Sequence, residues 1–398
     1  MRARARAGDL IDGLVERYNP KDLKVRPTRF HIVVGEESRD VVVGPSGCRV
    51  EESSGDFDVE IQTDARTWRR IFNGQLSGIE GFADGNIEIR GSIDKSLLFE
   101  AMFDRPDAGG FRYALERVSL GGRAISALVA GDESAPPLLL IHGLGASKAS
   151  WLPVVPALAR HHRIYAIDLP GFGSSSKPRG KYTAPWFADH VFRFMDMVDL
   201  ESTFVAGNSL GGRVTMEMAM MEPERVRGIA CLCPASAFSY RPGLPIVKLL
   251  RPEMGFVVAR LPRTYIRDQL KQLFCDPGRI QEDWYDAAID DFLGRWKTVR
   301  GRLAFFAALR NIYLDEPEGE AGFWARLTDV KVPSLFVYGR RDVLITHNFS
   351  QRVRKHLPSA KVQVWNDCGH VPQLEHPERT VNEMTKFFAA VETRAKAV

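Results

Sequence analysis

The chain has 398 residues, and its composition and charge limit the classes of protein to which it can belong. Single domains usually have about 100 to 200 residues, so this length predicts two domains. The hydrophobic fraction of 44% and the charged fraction of 26% are those of a globular protein and exclude a disordered or fibrous chain. A net charge of +4, from 54 basic and 50 acidic residues, gives no indication of a nucleic-acid partner.

The five cysteines are odd in number and scattered, unlike those of a secreted disulfide-bonded protein. We therefore expect a reducing, cytoplasmic environment, with peripheral attachment to a membrane left open. The sequence has no run of about 20 apolar residues, so no transmembrane helix is expected. Cys231 and Cys233 alternate within an apolar run, without further residues at zinc-site spacing, which predicts buried strand residues. No metal and no cofactor is expected.

A small α+β domain is predicted for residues 1–104. Apolar residues alternate with period two from Phe30 to Ile61, which predicts half-buried, antiparallel strands joined by Gly- and Ser-containing hairpins. Asp64 is a predicted helix cap, and a short amphipathic helix follows it. A strand at Ile87–Ile93 and an apolar helix complete the domain. Residues 105–110 are rich in Pro, Asp and Gly, which predicts a linker.

Residues 111–398 are predicted to form an α/β domain, because short apolar runs suited to buried parallel strands alternate with helical segments. From residue 239 to residue 315 this alternation stops, and the pattern predicts a helical cap. Large apolar residues in the cap, such as Phe305 and Phe306, favour an acyl or alicyclic substrate, although they could equally pack within the cap itself. The predicted strands are Pro137–Ile141, Arg163–Ile167, Thr203–Ala206, Gly228–Cys233, Ser334–Tyr338 and Lys361–Trp365.

A nucleophile-elbow motif, Gly207-Asn208-Ser209-Leu210-Gly211, follows one of these apolar strands and begins a helical run. Such a sharp strand-to-helix turn lifts the serine hydroxyl out of the sheet, so the flanking residues must be small, as both glycines are. The alternative is a glycine-rich turn without a catalytic serine. The strand before the motif and the helix after it favour Ser209 as a nucleophile.

Serine is a poor nucleophile at neutral pH, so a base must accept its proton and an acid must orient that base. His370 follows the last predicted strand, and Asp342 follows the strand before it. No carboxylate is present in residues 231–238, another strand end at which the acid could lie. The alternatives are a solvated turn aspartate and a satisfied buried histidine. We predict that Asp342 orients His370, which acts as general base and then as general acid.

Negative charge that develops on a carbonyl oxygen needs two preorganised donors, and backbone N–H groups supply them. The N–H group of Leu210, directly after the serine, is one predicted donor. The loop His142-Gly143-Leu144-Gly145 follows the first predicted strand of this domain, and the Leu144 N–H group is the other predicted donor. We expect His142 to organise this loop, because His370 already serves as the base.

The motifs HGLG, DLPGFGSS, GNSLGG, YGRRD and CGHVPQLEHP occur in this order between about Phe111 and Val391, an arrangement that resembles the α/β-hydrolase superfamily. The resemblance implies an α/β-hydrolase fold in which they are the oxyanion loop, a turn, the nucleophile, the acid and the base. Serine at position 209 argues against dehalogenases and epoxide hydrolases, which have aspartate there. Two motifs also resemble carbon–carbon hydrolases of aromatic ring-cleavage products. Ala146-Ser147 and Val371 depart from the Pro-Gly and Trp of that subgroup.

The segment from Phe57 to Phe103 resembles the sterol carrier family of small lipid-binding domains. The matching features are a helix that contains Trp68, a strand that ends on Gly91 and a C-terminal amphipathic helix. The resemblance implies an apolar tunnel for an acyl chain or a sterol. The alternative is a domain that serves only as a spacer or an interface.

Together these features predict a carboxylic ester hydrolase that forms an acyl-enzyme on Ser209 and acts on apolar or acyl-chain substrates. A carbon–carbon bond hydrolase and an acyltransferase are the alternative enzymes. A protein that binds or transfers lipid without turnover is the alternative from another class, since a fold alone does not prove a function. The expected partners are a small ester or lipid substrate and a lipid ligand of the N-terminal domain.

Overall fold

Two compact units make up the described part of the chain. The first unit is Met1–Leu115 with Ile280–Gly294, and the second is Glu116–Arg279 with Arg295–Val398. No helix in this part of the chain is long and apolar enough to cross a membrane. The computed structural model describes residues 6–20, 23, 25–236, 251–257 and 260–396.

A five-stranded sheet lies at the centre of the first unit. Its strands are β1 (Thr28–Val34), β2 (Glu37–Gly44), β3 (Gly47–Glu51), β4 (Val59–Thr63) and β5 (Ile87–Gly91), in the order β3-β2-β1-β4-β5. The pairs β1–β2, β2–β3 and β4–β5 are antiparallel, as the hairpin signals predict. The antiparallel prediction is wrong for β1 and β4, which are parallel. The connection over residues 52–58 returns the chain to the end of the sheet at which β1 begins, so β4 runs in the direction of β1.

The helices of the first unit follow the strands in the predicted order. The carboxylate of Asp64 accepts hydrogen bonds from the N–H groups of Arg66 and Thr67, so the predicted cap is confirmed. A helix that the sequence analysis did not predict begins with a reciprocal capping box between Ser77 and Glu80. The helices of residues 7–101 are Ala7–Asp12, Leu14–Arg17, Ala65–Phe72, Gly78–Ala83 and Ile93–Ala101.

The residues predicted as a linker, 105–110, are hydrogen-bonded to the rest of the first unit. The N–H group of Gly110 donates to the carbonyl oxygen of Gly74 at 2.9 Å. Arg105 Nη1 donates to the carbonyl oxygen of Leu76 at 3.2 Å. This segment is therefore a packed part of the first unit, and the exact limits of the two domains stay a prediction.

Residues Ile280–Gly294 also belong to the first unit, although they lie in the segment predicted as the cap. They include most of the helix Glu282–Trp296. The backbone N–H group of Gly91, at the end of β5, donates to the carboxylate of Asp290 at 3.1 Å. A fragment of residues 1–104 would therefore lack a part of this unit.

An eight-stranded sheet lies at the centre of the second unit. Its strands are β6 (Tyr113–Ser119), β7 (Ala124–Ala130), β8 (Pro137–Ile141), β9 (Arg163–Ile167), β10 (Thr203–Asn208), β11 (Val226–Leu232), β12 (Ser334–Gly339) and β13 (Lys361–Trp365). Their order is β13-β12-β11-β10-β8-β9-β7-β6. Neighbouring strands from β13 to β9 are parallel, as predicted, and β7 pairs with β9 in the antiparallel direction. The strands β6 and β7 are not among those predicted from the sequence.

Helices connect the strands of the second unit, and a helical insertion separates β11 from β12. The described residues of this insertion contain no strand, which agrees with the predicted cap. The predicted start of the cap, residues 239–250, lies outside the described residues. The α-helices are Val155–Leu158, Ala184–Met197, Leu210–Met221, Arg263–Lys271, Val299–Leu314, Phe323–Leu327, Phe349–His356, Pro372–Glu375 and Pro377–Lys396, and the 3-10 helices are Lys148–Trp151, Pro223–Arg225, Pro252–Phe256 and Pro277–Arg279.

Candidate active site

The predicted site residues follow the carboxyl ends of four parallel strands. Ser209 follows β10, Asp342 follows β12, His370 follows β13, and the loop that begins at His142 follows β8. Parallel strands have their carboxyl ends at one edge of the sheet, where ligands of α/β proteins bind. The loop and the serine are in contact, since a Cβ atom added at Gly143 would lie 3.3 Å from Ser209 Cβ.

Ser209 lies in a strained turn between β10 and the helix Leu210–Met221. Its φ of 55° and ψ of −115° lie outside the regions that residues with a side chain usually occupy. A Cβ atom at Gly207 would lie 2.3 Å from the Gly211 backbone, and one at Gly211 would lie 2.1 Å from the carbonyl oxygen of Ile141. Both positions therefore require glycine, for the steric reason that the elbow motif implies.

The histidine and the aspartate are hydrogen-bonded to each other. His370 Nδ1 lies 2.7 Å from Asp342 Oδ2, and the side chains are 5% and 0% exposed. The other carboxylate oxygen, Asp342 Oδ1, accepts hydrogen bonds from the N–H groups of Leu344 and Ile345, both at 2.8 Å. A solvated turn aspartate would be exposed, whereas this carboxylate is buried and both of its oxygens accept hydrogen bonds. The arrangement leaves Nε2, on the opposite side of the ring, as the nitrogen that can accept a proton.

A buried thiol lies beside this pair. Cys233 Sγ, an Asp342 oxygen and a His370 nitrogen lie within 4.8 Å of one another, the spacing of possible metal ligands. Burial raises the pKa of the Cys233 thiol well above its usual value, and the nearby Asp342 carboxylate raises it further. Burial also raises the pKa of Cys368, which lies in a second such group. Both thiols therefore stay protonated at neutral pH.

The predicted oxyanion loop is held by hydrogen bonds to its backbone. His142 Nδ1 lies 2.7 Å from the carbonyl oxygen of Gly143, which also accepts the Ala146 N–H group at 3.2 Å. The Leu169 N–H group donates to His142 Nε2 at 3.0 Å, and burial lowers the pKa of His142 to about 4, so the ring is neutral and carries its proton on Nδ1. The C=O and N–H groups of a trans peptide point in opposite directions. The N–H group of Leu144 therefore points away from the His142 ring.

Two further contacts fix the surroundings of this loop. Arg295 Nη2 donates to the carbonyl oxygen of Gly145 at 3.1 Å. Lys148 Nζ donates to the carboxylate of Asp168 at 2.9 Å in a buried ion pair, and the same carboxylate accepts the Ser174 N–H group at 2.8 Å. The turn that begins at Asp168 is thus tied to the end of the oxyanion loop, in agreement with a structural role for this turn.

Two buried polar residues that the sequence analysis did not single out bind the histidine loop. Asn208 Nδ2 donates to the carbonyl oxygen of His370 at 3.0 Å. The carboxylate of Glu375 accepts the N–H group of Gly369 at 2.7 Å and that of Asp276 at 2.9 Å. Asn208 lies in the GNSLGG motif and Glu375 in the CGHVPQLEHP motif. Their position as polar residues within these motifs was the signal from which a role near the site could have been predicted.

Comparison with protein families agrees with this architecture. Residues 136–377 match the family model of the alpha/beta hydrolase fold. The chain belongs to the α/β-hydrolase family. Residues 10–104 match the model of the SCP-2 sterol transfer family, so the predicted N-terminal sterol carrier-like domain is confirmed. The predicted fold class, an α/β-hydrolase fold preceded by a small α+β domain, is also confirmed.

Hydrolases are among the proteins similar to this α/β-hydrolase. A dihydrolipoyllysine-residue acetyltransferase component of the acetoin cleaving system from Pseudomonas putida is 29% identical, over 69% of this chain and 69% of that protein. A 2-hydroxymuconate semialdehyde hydrolase from Pseudomonas sp. strain CF600 is 28% identical, over 65% of this chain and 89% of the relative. The crystal structure of a membrane phospholipase A, a bacterial virulence factor, is 27% identical with a TM-score of 0.60, over 70% of this chain and 87% of that one. The protein is an enzyme of the hydrolase type.

Proposed function

We propose that the protein is a serine hydrolase that cleaves carboxylic esters through an acyl-enzyme on Ser209. The observation that carries this proposal is the 2.7 Å hydrogen bond between His370 and the buried Asp342 carboxylate. The strained Ser209 turn follows a strand whose carboxyl end lies at the same edge of the sheet. A histidine held through Nδ1 acts as a base through Nε2, the nitrogen that a serine hydroxyl requires.

Each step of the proposed reaction uses one of these groups. Ser209 Oγ attacks the ester carbonyl carbon while His370 Nε2 accepts the hydroxyl proton. The resulting oxyanion accepts hydrogen bonds from the N–H groups of Leu144 and Leu210. The bond to the alcohol oxygen then breaks, and the imidazolium returns its proton to that oxygen. A water molecule deprotonated by His370 attacks the acyl carbon. The tetrahedral intermediate then loses its bond to Ser209 Oγ, the imidazolium returns the proton to that oxygen, and the carboxylic acid leaves. Asp342 accepts the hydrogen bond from Nδ1 and stabilises the imidazolium.

Two other reactions could use the same residues. Similarity to 2-hydroxymuconate semialdehyde hydrolase supports carbon–carbon hydrolysis, but Ala146-Ser147 and Val371 depart from the pattern of that subgroup. Similarity to the acetyltransferase component supports acyl transfer, in which an acceptor other than water attacks the acyl-enzyme. Ester hydrolysis is favoured because it needs nothing beyond the serine, its base and two oxyanion donors.

An apolar or acyl-chain substrate is part of the proposal. Similarity to a phospholipase A supports a lipid ester. The cap is also apolar, although Trp296, Phe305 and Phe306 contact one another edge to face at centroid distances of 5.5–5.9 Å. Some of the apolar surface of the cap is therefore used in its own packing. Phe305 is only partly buried, and we propose that its exposed part contacts the acyl chain.

Hydrolysis of p-nitrophenyl esters graded in acyl length tests this proposal. We expect turnover, with kcat/KM rising from acetyl to longer acyl chains because a longer chain buries more apolar surface. We also expect a fluorophosphonate probe to label Ser209, as located by peptide mass spectrometry. Hydrolysis of a ring-cleavage product with no turnover of any ester would instead assign the carbon–carbon reaction.

We further propose that the N-terminal domain binds a lipid. The match of residues 10–104 to the SCP-2 sterol transfer family supports this function. The limits of this domain at residue 104 and of the hydrolase domain at residue 111 belong to the same proposal. So does a cytoplasmic location, which the five free cysteines support.

Uptake of a fluorescent fatty acid by the full-length Ser209→Ala protein tests lipid binding. The full chain is used because Ile280–Gly294 belongs to the first unit. We expect saturable uptake that acyl-coenzyme A or a sterol displaces. The same uptake by wild-type protein labelled with fluorophosphonate would exclude binding at Ser209. If labelling abolishes uptake, or if none of the three lipids binds saturably, the N-terminal domain is a spacer or an interface.

A further inference from the structure

An exposed apolar patch lies on the helical insertion of the second unit. The side chains of Phe256 and Val257 are 63% and 82% exposed, and that of Val299 is 38% exposed. Single exposed apolar residues are common on protein surfaces and need no explanation. Two consecutive apolar residues exposed to this extent, with a third close to them, indicate a surface that contacts another molecule.

A buried arginine brings the two parts of this patch together. Arg302 is 5% exposed, and its Nε donates to the carbonyl oxygen of Gly255 at 2.6 Å. Its Nη1 donates to the carbonyl oxygens of Trp296 and Lys297, at 2.7 Å and 3.2 Å. One guanidinium group therefore binds both the residue before Phe256 and the segment that leads into Val299. The patch is built on a fixed backbone, because the hydrogen bonds to Gly255 and Trp296 are buried.

Exposed basic residues lie close to the apolar residues along the chain. Lys297 and Arg300 flank Val299 and are exposed. Arg251 and Arg260, also exposed, lie within five residues of the Phe256-Val257 pair along the chain. Within the described stretches 251–257, 260 and 297–300, these four basic residues are accompanied by a single acidic residue, Glu253. The patch therefore combines apolar tips with net positive charge.

We propose that this apolar–basic patch docks on an anionic lipid surface. Phe256 and Val257 would enter the boundary between headgroups and acyl chains, and the basic side chains would contact the headgroup phosphates. A lipid surface is favoured over a protein partner because both exposed segments carry basic residues next to the apolar ones in the sequence, with a single acidic residue among them, as a uniformly anionic surface requires. The proposal rests on the surface alone and does not depend on the role of Ser209.

Sedimentation of the full-length Ser209→Ala protein with vesicles tests the proposal without hydrolysis of the lipid. The vesicles are phosphatidylcholine alone or phosphatidylcholine mixed with phosphatidylglycerol. We expect binding to the mixed vesicles, weakened by salt. The double variant Phe256→Ser/Val257→Ser should reduce this binding by about tenfold or more, since it removes the inserting groups. The variant Lys297→Ser/Arg300→Ser should reduce binding and its dependence on salt.

The matched control is Met197→Ser/Met221→Ser, which removes exposed apolar side chains at the ends of the helices Ala184–Met197 and Leu210–Met221. We expect this control to bind as the parent does. The proposal is overturned if Phe256→Ser/Val257→Ser and the control bind mixed vesicles as well as the parent does. It is also overturned if the parent binds the two kinds of vesicle equally or binds neither. Loss of a dimer in the Phe256→Ser/Val257→Ser variant, without vesicle binding by the parent, would assign the patch to a second copy of the chain. In an otherwise wild-type background, each variant should keep its activity on a short-chain ester, which shows that it folds.

Discussion

Replacement of Ser209 by alanine is expected to lower kcat for ester hydrolysis by roughly a millionfold, because triad members act as one unit. Alanine keeps the Cβ atom, so the strained backbone at φ 55° meets the same steric environment as in the parent. The thermal unfolding curve should therefore be unchanged. The measurement is kcat and kcat/KM on the ester that the parent turns over fastest, with Ser134→Ala, in an exposed turn, as the control.

The double variant Ser209→Ala/His370→Ala provides a sharper form of this test. If the histidine acts only by accepting the Ser209 proton, its removal should cost little once the serine is absent. Losses that multiply in the double variant would show that His370 acts independently of Ser209. Near-normal turnover by Ser209→Ala alone would contradict the acyl-enzyme mechanism.

The second unit could be predicted well where its strands are short, buried and apolar. The predicted bounds of β8, β9 and β13 agree with the structure at both ends. β7 was missed because Ala124–Ala130 contains three alanines, which favour strands weakly. β6 was missed because Tyr113–Ser119 has no fully buried residue and gives no clear apolar run. An apolar run in the sequence therefore predicts a strand only where that strand is buried.

The pairing of strands in the first unit shows a different limit. Hairpin signals lie within a few residues of each other, so the pairing of β1 with β2 and of β2 with β3 could be predicted. The parallel pairing of β1 with β4 depends on the path of the chain over residues 52–58. No turn chemistry specifies such a crossover, so the sequence pattern supports an antiparallel and a parallel neighbour equally.

Some residues of the candidate site could be predicted from the sequence, and others could not. Ser209, Asp342 and His370 could be named because each lies in a short motif at the end of a predicted strand. Asn208 could not be assigned a partner, because its hydrogen bond to His370 spans 162 positions in the sequence. The contact of Arg295 with the oxyanion loop spans 150 positions. Short motifs predict the reacting groups, whereas only the fold shows which residues contact them.

Replacement of Asp342 by asparagine is expected to lower kcat by about 10⁴-fold, the effect of such a change in a serine protease triad. The cause lies in the hydrogen bonds of the carboxylate. Oδ1 accepts two N–H groups, from Leu344 and Ile345, so an amide must place its oxygen there and turn its NH₂ group toward His370. Nδ1 then becomes an acceptor, and the proton of the neutral ring moves to Nε2. A ring in this tautomer cannot accept the Ser209 proton.

The matched control for this prediction is Asp367→Asn, which alters a carboxylate three residues before His370 in the sequence. Its side chain is 54% exposed and pairs with Arg379. We expect its kcat to stay within a few-fold of the parent, since an exposed ion pair contributes about 0–1 kcal/mol. Fluorophosphonate labelling of Asp342→Asn should be slowed along with turnover, because both reactions need the same activated hydroxyl. Normal turnover in Asp342→Asn would contradict this argument and assign the orienting acid to another carboxylate.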